Sequence, residues 1–130
     1  MREVIKTPNA PAAIGAYSQG IKIGNLVYTS GQLPIDPATG KMVEGDIKVQ
    51  TEQVMKNIAA ILKASGTSMH HAVKATVFIR NLSDFAGMNE VYAQYLNPEK
   101  PPARSAVPNV DLPFNALVEI EVIAGIYDKG

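Results

Sequence analysis

The 130-residue chain contains no cysteine. That excludes disulfides, thiolate metal ligands and a cysteine nucleophile, and it fits a reducing compartment. Long apolar runs are missing too. The longest, Ile58–Leu62, has five residues, far short of the roughly 20 that a membrane helix needs. Met1–Lys6 alternates charged and aliphatic residues rather than forming an apolar signal core. Nor is there any excess of basic charge: twelve Lys and Arg meet twelve Asp and Glu, for a formal net charge of zero. A protein that tracks phosphates advertises itself with such an excess, so nucleic acid is not the expected partner. These absences predict a cytoplasmic globular protein, a single domain over residues 1–130, away from the membrane.

Proline is absent from Ala38 to Asn97, although nine prolines lie on either side. Helices belong in that block. The first 35 residues read as strands. Among them, Gly20–Ile23 and Leu26–Ser30 flank Gly24–Asn25, a pair suited to a hairpin. Gly40 and Gly45 bracket another turn. Asp46 is a fair N-cap for a helix with Val54, Ile58, Ile61, Leu62 and Ser65 on one side, stopped by Gly66. Strand periodicity follows over Val73–Ile79, with Val73, Ala75, Val77 and Ile79 on one face. Ser83 predicts the cap of a second helix that buries Phe85, Met88, Tyr92 and Tyr95. Ala103–Val107 and Ala116–Ile126 complete the set as strands.

The order predicts an α+β fold, a mixed β-sheet with two helices packed on one face. Two helices cover only one face. Ala116–Ile126 nevertheless carries apolar residues on both, which predicts a homo-oligomer that buries the uncovered one.

Few residues offer chemistry. Glu119 and Glu121 share a strand face with Leu117 and Ile123. They are either solvated, or one carboxylate sits in a partly apolar cleft with a raised pKa. Arginine is scarce, at Arg2, Arg80 and Arg104 only. Arg80 ends a strand and reads as solvated. Arg104 follows the stiff Lys100–Pro101–Pro102–Ala103 and suits a bidentate grip on a carboxylate, or an ion pair with Glu119 or Asp111. Turn chemistry accounts for Gly31, and spacing places no base beside Ser30. His70–His71 is a poor metal pair, because adjacent side chains diverge, and no metal is expected. No Walker-type loop or dinucleotide fingerprint occurs.

Ordered blocks along the chain resemble a known family. They are Ala10–Gly15 with Tyr17–Gly20, Thr29–Pro34, Lys74–Ile79 with Phe85–Asn89, Pro102–Ser105, and Val118–Ala124. Together they resemble the RidA/YjgF family of reactive-intermediate deaminases, also described as endoribonuclease L-PSP or translation inhibitor proteins. The resemblance implies a chorismate-mutase-like fold assembled as a homotrimer with clefts between subunits. It implies hydrolysis of 2-imino carboxylic acids to 2-keto carboxylic acids and ammonia, without a cofactor. It further implies that Arg104 binds the substrate carboxylate and Glu119 activates water. Tyr17, Ser30, Gly31 and Asn89 would line or position the site, and the main-chain carbonyl of Ala106 would face it. The family commonly has cysteine at this last position. A ribonuclease or a non-catalytic carboxylate binder are the alternative functions.

Overall fold

The computed structural model describes residues 1–127. Eight strands form in chain order: β1 Glu3–Ile5, β2 Gly20–Ile23, β3 Leu26–Thr29, β4 Ile35–Asp36, β5 Lys41–Met42, β6 Ala72–Ile79, β7 Ala103–Pro108 and β8 Val118–Gly125. Helix α1 spans Ile47–Ala64 and α2 spans Phe85–Ala93. Six strands make the main sheet in the order β1-β2-β3-β8-β6-β7, and β4 with β5 forms a separate small hairpin. Among the described strands only β6 and β7 pair in parallel. The fold is the expected mixed α+β arrangement with both helices on one face.

Helix α1 forms for the reasons its sequence supplies. The Asp46 carboxylate accepts from the Val49 amide at 3.0 Å, satisfying one free N–H of the first turn. Val54, Met55, Ile58, Ile61 and Leu62 are fully buried. Each side chain withdrawn from water contributes about 1.5–3 kcal/mol. At the far end the Ser65 hydroxyl donates to the Ile61 carbonyl at 2.7 Å, before Gly66. Against this stripe the sheet presents Val27, Ala75, Val77, Ile79, Val118, Ile120, Val122 and Ala124.

Several boundaries differ from the sequence reading, each for a local reason. Residues 6–19 are irregular rather than a strand. They are organised by the buried Gln19 side chain. Its Oε1 accepts from the Thr7 amide at 2.7 Å, and its Nε2 donates to the carbonyls of Thr7, Ala10 and Pro11. Ser83 caps nothing. It lies inside a 3-10 turn, Leu82–Asp84, that runs straight into α2. Val73 is exposed, because a bulge between Ala72 and Lys74 shifts the alternation by one residue. The last strand begins at Val118, since a 3-10 turn at Pro113–Asn115 precedes it.

The open face of the sheet carries Tyr28, Lys74, Thr76, Phe78, Glu119, Glu121 and Ile123, all exposed or half-buried. It is apolar in part and charged in part. No helix of the described chain is long and apolar enough to cross a membrane.

Candidate active site

The named site residues fall into two groups, and the sheet lies between them. Opposed residues in a ladder project to the same face, so register assigns each side. Glu119 of β8 opposes Phe78 of β6, on the open face. Arg104 of β7 opposes Ala75, whose methyl group points into the core beneath the helices. Glu119 and Arg104 therefore project from opposite faces. Their backbones are also three residues out of register and two strands apart, roughly 10 Å in each direction.

The open-face group is held together by backbone geometry. Gln32 and Ile120 exchange amide bonds at 2.8 and 3.2 Å, which brings Gly31 against the side chain of Glu119. A Cβ added to Gly31 would collide with the Glu119 carboxylate. Gly31 is not among the residues with positive φ, so close approach, not turn chemistry, explains its lack of a side chain. Ser30 donates its hydroxyl to the Ser18 carbonyl, and its amide donates to the Gln19 carbonyl at 2.9 Å. That ties the 17–19 loop to the Ser30–Gln32 turn. Tyr17 lies on this loop, 53% exposed, with its hydroxyl accepting from the Ile14 amide at 3.3 Å. Outside any strand ladder, it lines a separate groove of about 700 Å³ with Ile5, Ala10 and Pro37. The Ser30 hydroxyl is thereby committed to the fold.

Glu119 is half-buried. Burial pushes its carboxyl above the ordinary carboxylate range, and the nearby charge of Glu121 pushes it the same way. Of the two expectations for this strand, the cleft reading describes Glu119 and the solvated reading describes the exposed Glu121.

On the helix side, Arg104 Nη1 donates to Asn89 Oδ1 at 2.5 Å. Its guanidinium carbon lies 5.3 Å from the Phe85 ring centre and 5.2 Å from that of Tyr92. Among the described residues Arg104 has no carboxylate partner. The intramolecular ion pair with Glu119 or Asp111 does not form. Asp111 instead stands 3.5 Å from Arg80. Arg80 itself corrects the sequence reading. It is largely buried and donates to the carbonyls of Ala116 and Leu112, both at 3.0 Å, pinning the loop that leads into β8. Ala106 lies on the Arg104 side of the edge strand β7, two residues on, and is exposed.

A groove of about 370 Å³ runs beside Arg104, lined by Asn89, Tyr92, Ala93, Leu96, Pro101 and Pro102. His70 and His71 occupy a 3-10 turn beside a different groove, with His71 edge-on to Tyr127 at 4.8 Å. Among the described residues no group of three or more His, Asp or Glu is placed to hold a metal ion.

Sequence reasoning passed over Gln19. Its assignment of Phe85 and Tyr92 to the buried side of α2 holds, with Tyr92 in the core and Phe85 packed against it, but it did not see that both rings also approach Arg104. A signal was present for the latter two: Phe85, Asn89 and Tyr92 recur at helical spacing with a polar residue in the middle.

Comparison with known proteins decides the family. The sequence matches the family model described as endoribonuclease L-PSP over residues 7–126. The chain belongs to the endoribonuclease L-PSP (Rid) family. A RutC family protein of Pyrococcus horikoshii is 56% identical over 124 residues, covering 95% of this chain and 98% of that protein. The Rid protein YyfA of Yersinia pestis has a crystal structure that superposes with a TM-score of 0.93 at 51% identity, covering 97% of this chain and all of that one. The 2-iminobutanoate/2-iminopropanoate deaminase of Salmonella typhimurium is 44% identical, over 95% of this chain and 98% of that one. The resemblance read from the motifs is thus established, and the observed sheet and helices match those of Rid family structures. Deaminase names among these relatives support an enzymatic role in the Rid family.

Proposed function

We propose that the protein hydrolyses 2-imino carboxylic acids, or the enamines that tautomerise to them, to 2-keto carboxylic acids and ammonia. The observation that carries this reading is the pairing of two chemistries. Glu119 is a half-buried carboxylate with a raised pKa, and Arg104 is a guanidinium that no carboxylate of the described chain neutralises.

The substrate carboxylate takes two parallel hydrogen bonds from Arg104. Water attacks the electrophilic imine carbon while Glu119 accepts one of its protons, forming a carbinolamine. With the imine nitrogen protonated at the outset, Glu119 returns that proton to the neutral amine of the carbinolamine. The C–N bond breaks as an oxygen lone pair forms the carbonyl, and the hydroxyl proton passes through Glu119 to the departing ammonia, which leaves as ammonium. One water is consumed and no redox partner is needed. Positioning and proton transfer suffice, because the carbon is already activated. No covalent enzyme intermediate is required, so alanine at 106 leaves the chemistry intact.

Glu119 and Arg104 project from opposite faces of one sheet, so we place the site between neighbouring copies of the chain in a homotrimer. One copy brings Glu119, Gly31, Ser30 and Tyr17. Its neighbour brings Arg104, Asn89 and the main-chain carbonyl of Ala106. The partly apolar open face is the surface such an assembly would cover.

The reaction is tested by ammonia release from imines generated in situ by an amino-acid oxidase. Release above background for at least one side chain is expected, and none across several side chains overturns the reading. Shared sites are tested by co-expressing Arg104→Ala with Glu119→Gln. Each variant alone should be inactive. Random mixing around a ring should restore about a quarter of wild-type activity, half the neighbours supplying each residue. No recovery overturns the shared site.

A further inference from the structure

The surroundings of Arg104 go further than a free cation. Phe85, Asn89 and Tyr92 stand at positions i, i+4 and i+7 of α2, which puts them on one stripe of the helix. Arg104 lies over this stripe because the parallel ladder sets it opposite Ala75, on the helix side. Both rings lie within cation–π distance of the guanidinium carbon. Asn89 engages a single Nη1 donor of the five N–H groups a guanidinium carries.

We infer that Phe85 and Tyr92 are positioning residues that orient the Arg104 guanidinium, while Asn89 sets its rotation. The opposite N–H edge then stays free for a planar 2-imino or 2-keto carboxylate. The inference rests on the reading in which Arg104 takes the substrate carboxylate.

The physical argument concerns entropy and shape. A long side chain at an exposed sheet edge samples many rotamers, and fixing it on binding reduces affinity. Two ring faces and an amide acceptor impose that order beforehand. Aromatic faces also attract the cation without occupying its N–H donors, whereas a carboxylate partner would compete with the substrate. Tyr92 presents its ring to the guanidinium, and its buried hydroxyl makes no well-formed hydrogen bond although it lies near enough to feel the Arg104 charge. Burial holds that phenol above its ordinary pKa against the opposing pull of Arg104, so the ring stays neutral. A lysine at 104 would lack the flat face that stacks on both rings.

The test reads KM against kcat for imine hydrolysis, with affinity for 2-oxobutanoate measured by calorimetry. Phe85→Leu and Tyr92→Leu should each raise KM and weaken 2-oxobutanoate binding by about tenfold, an effect in the range of one partly desolvated cation–π contact. Their kcat should stay within about twofold. Tyr92→Phe keeps the ring and should recover most of that loss, whereas Arg104→Lys should not restore binding lost in Arg104→Ala. A merely structural role would lower the melting temperature without changing KM well below it. Should a Leu variant fail to fold, Asn89→Ala provides the same readout from the half-buried side of the stripe. Loss of binding in Arg104→Ala, with wild-type binding in Phe85→Leu and Tyr92→Leu, overturns the clamp alone. Unchanged 2-oxobutanoate binding in Arg104→Ala overturns the underlying reading.

Discussion

Glu119 and Arg104 lie on two faces of one sheet, and the fold treats them differently. Glu119 is drawn partly out of water, pressed against a glycine that has no side chain to keep it away. Arg104 stays exposed at the sheet edge, bounded by two aromatic rings and one amide oxygen. The contrast agrees with the roles proposed for the two groups. A carboxylate that shuttles protons works best when its pKa is moved toward the working pH, and desolvation moves it. A guanidinium that grips an anion needs no pKa adjustment. It needs free donors and a fixed orientation, so dry surroundings would bring a penalty and no benefit.

The largest expected effect breaks the proton-transfer side. Glu119→Gln should reduce imine hydrolysis by about 10²–10⁴-fold. Stability should move the other way. Because the folded-state pKa of Glu119 is raised, the native state holds this proton more tightly than the unfolded chain does. The site's contribution to stability is therefore fully present below the ordinary carboxylate range and is lost as pH rises through the raised value. At neutral pH the Gln variant should melt no lower than wild type. A clear drop in melting temperature there would break the contrast between the two faces.

Next in size is Gly31→Ala. The added methyl collides with the carboxylate, and a displacement of about 1 Å at the reacting centre reduces kcat/KM by on the order of 100-fold. Wild-type kinetics in this variant would show that the gap above Gly31 does not place Glu119.

The smallest effect sharpens the comparison without abolishing function. Glu121 raises the Glu119 pKa through like charge. Glu121→Gln should therefore move the acidic limb of the pH–rate profile to lower pH, since the base must be deprotonated to accept the proton from water. An unmoved limb would show that burial alone sets the titration.

Much of the fold was legible in the residues. Asp46, the apolar stripe from Val54 to Leu62, and Gly24–Asn25 between two short strands each point to the element that forms. The alternation in β8 also holds, with Val118, Ile120 and Val122 buried and Glu119 half-exposed beside them. Where local pattern failed, a non-local contact was responsible. The bulge after Ala72 turned Val73 outward. Arg80, read as a solvated strand end, found the carbonyls of Leu112 and Ala116 more than 30 residues away. Gln19 organises a loop that no periodicity announces.

The candidate site divides the same way. Its residue types were readable, because a carboxylate beside apolar neighbours and a lone arginine after two prolines carry their chemistry locally. The motifs were enough to point to the family. What the sequence by itself determined was the set of elements, their apolar faces and the groups able to do chemistry, since these depend on side-chain spacing along one strand or helix. Only the tertiary structure decided that Glu119 and Arg104 face opposite ways. That outcome depends on the pairing of β6 with β7 and β8, and strand register joins residues too far apart in sequence to leave a local trace.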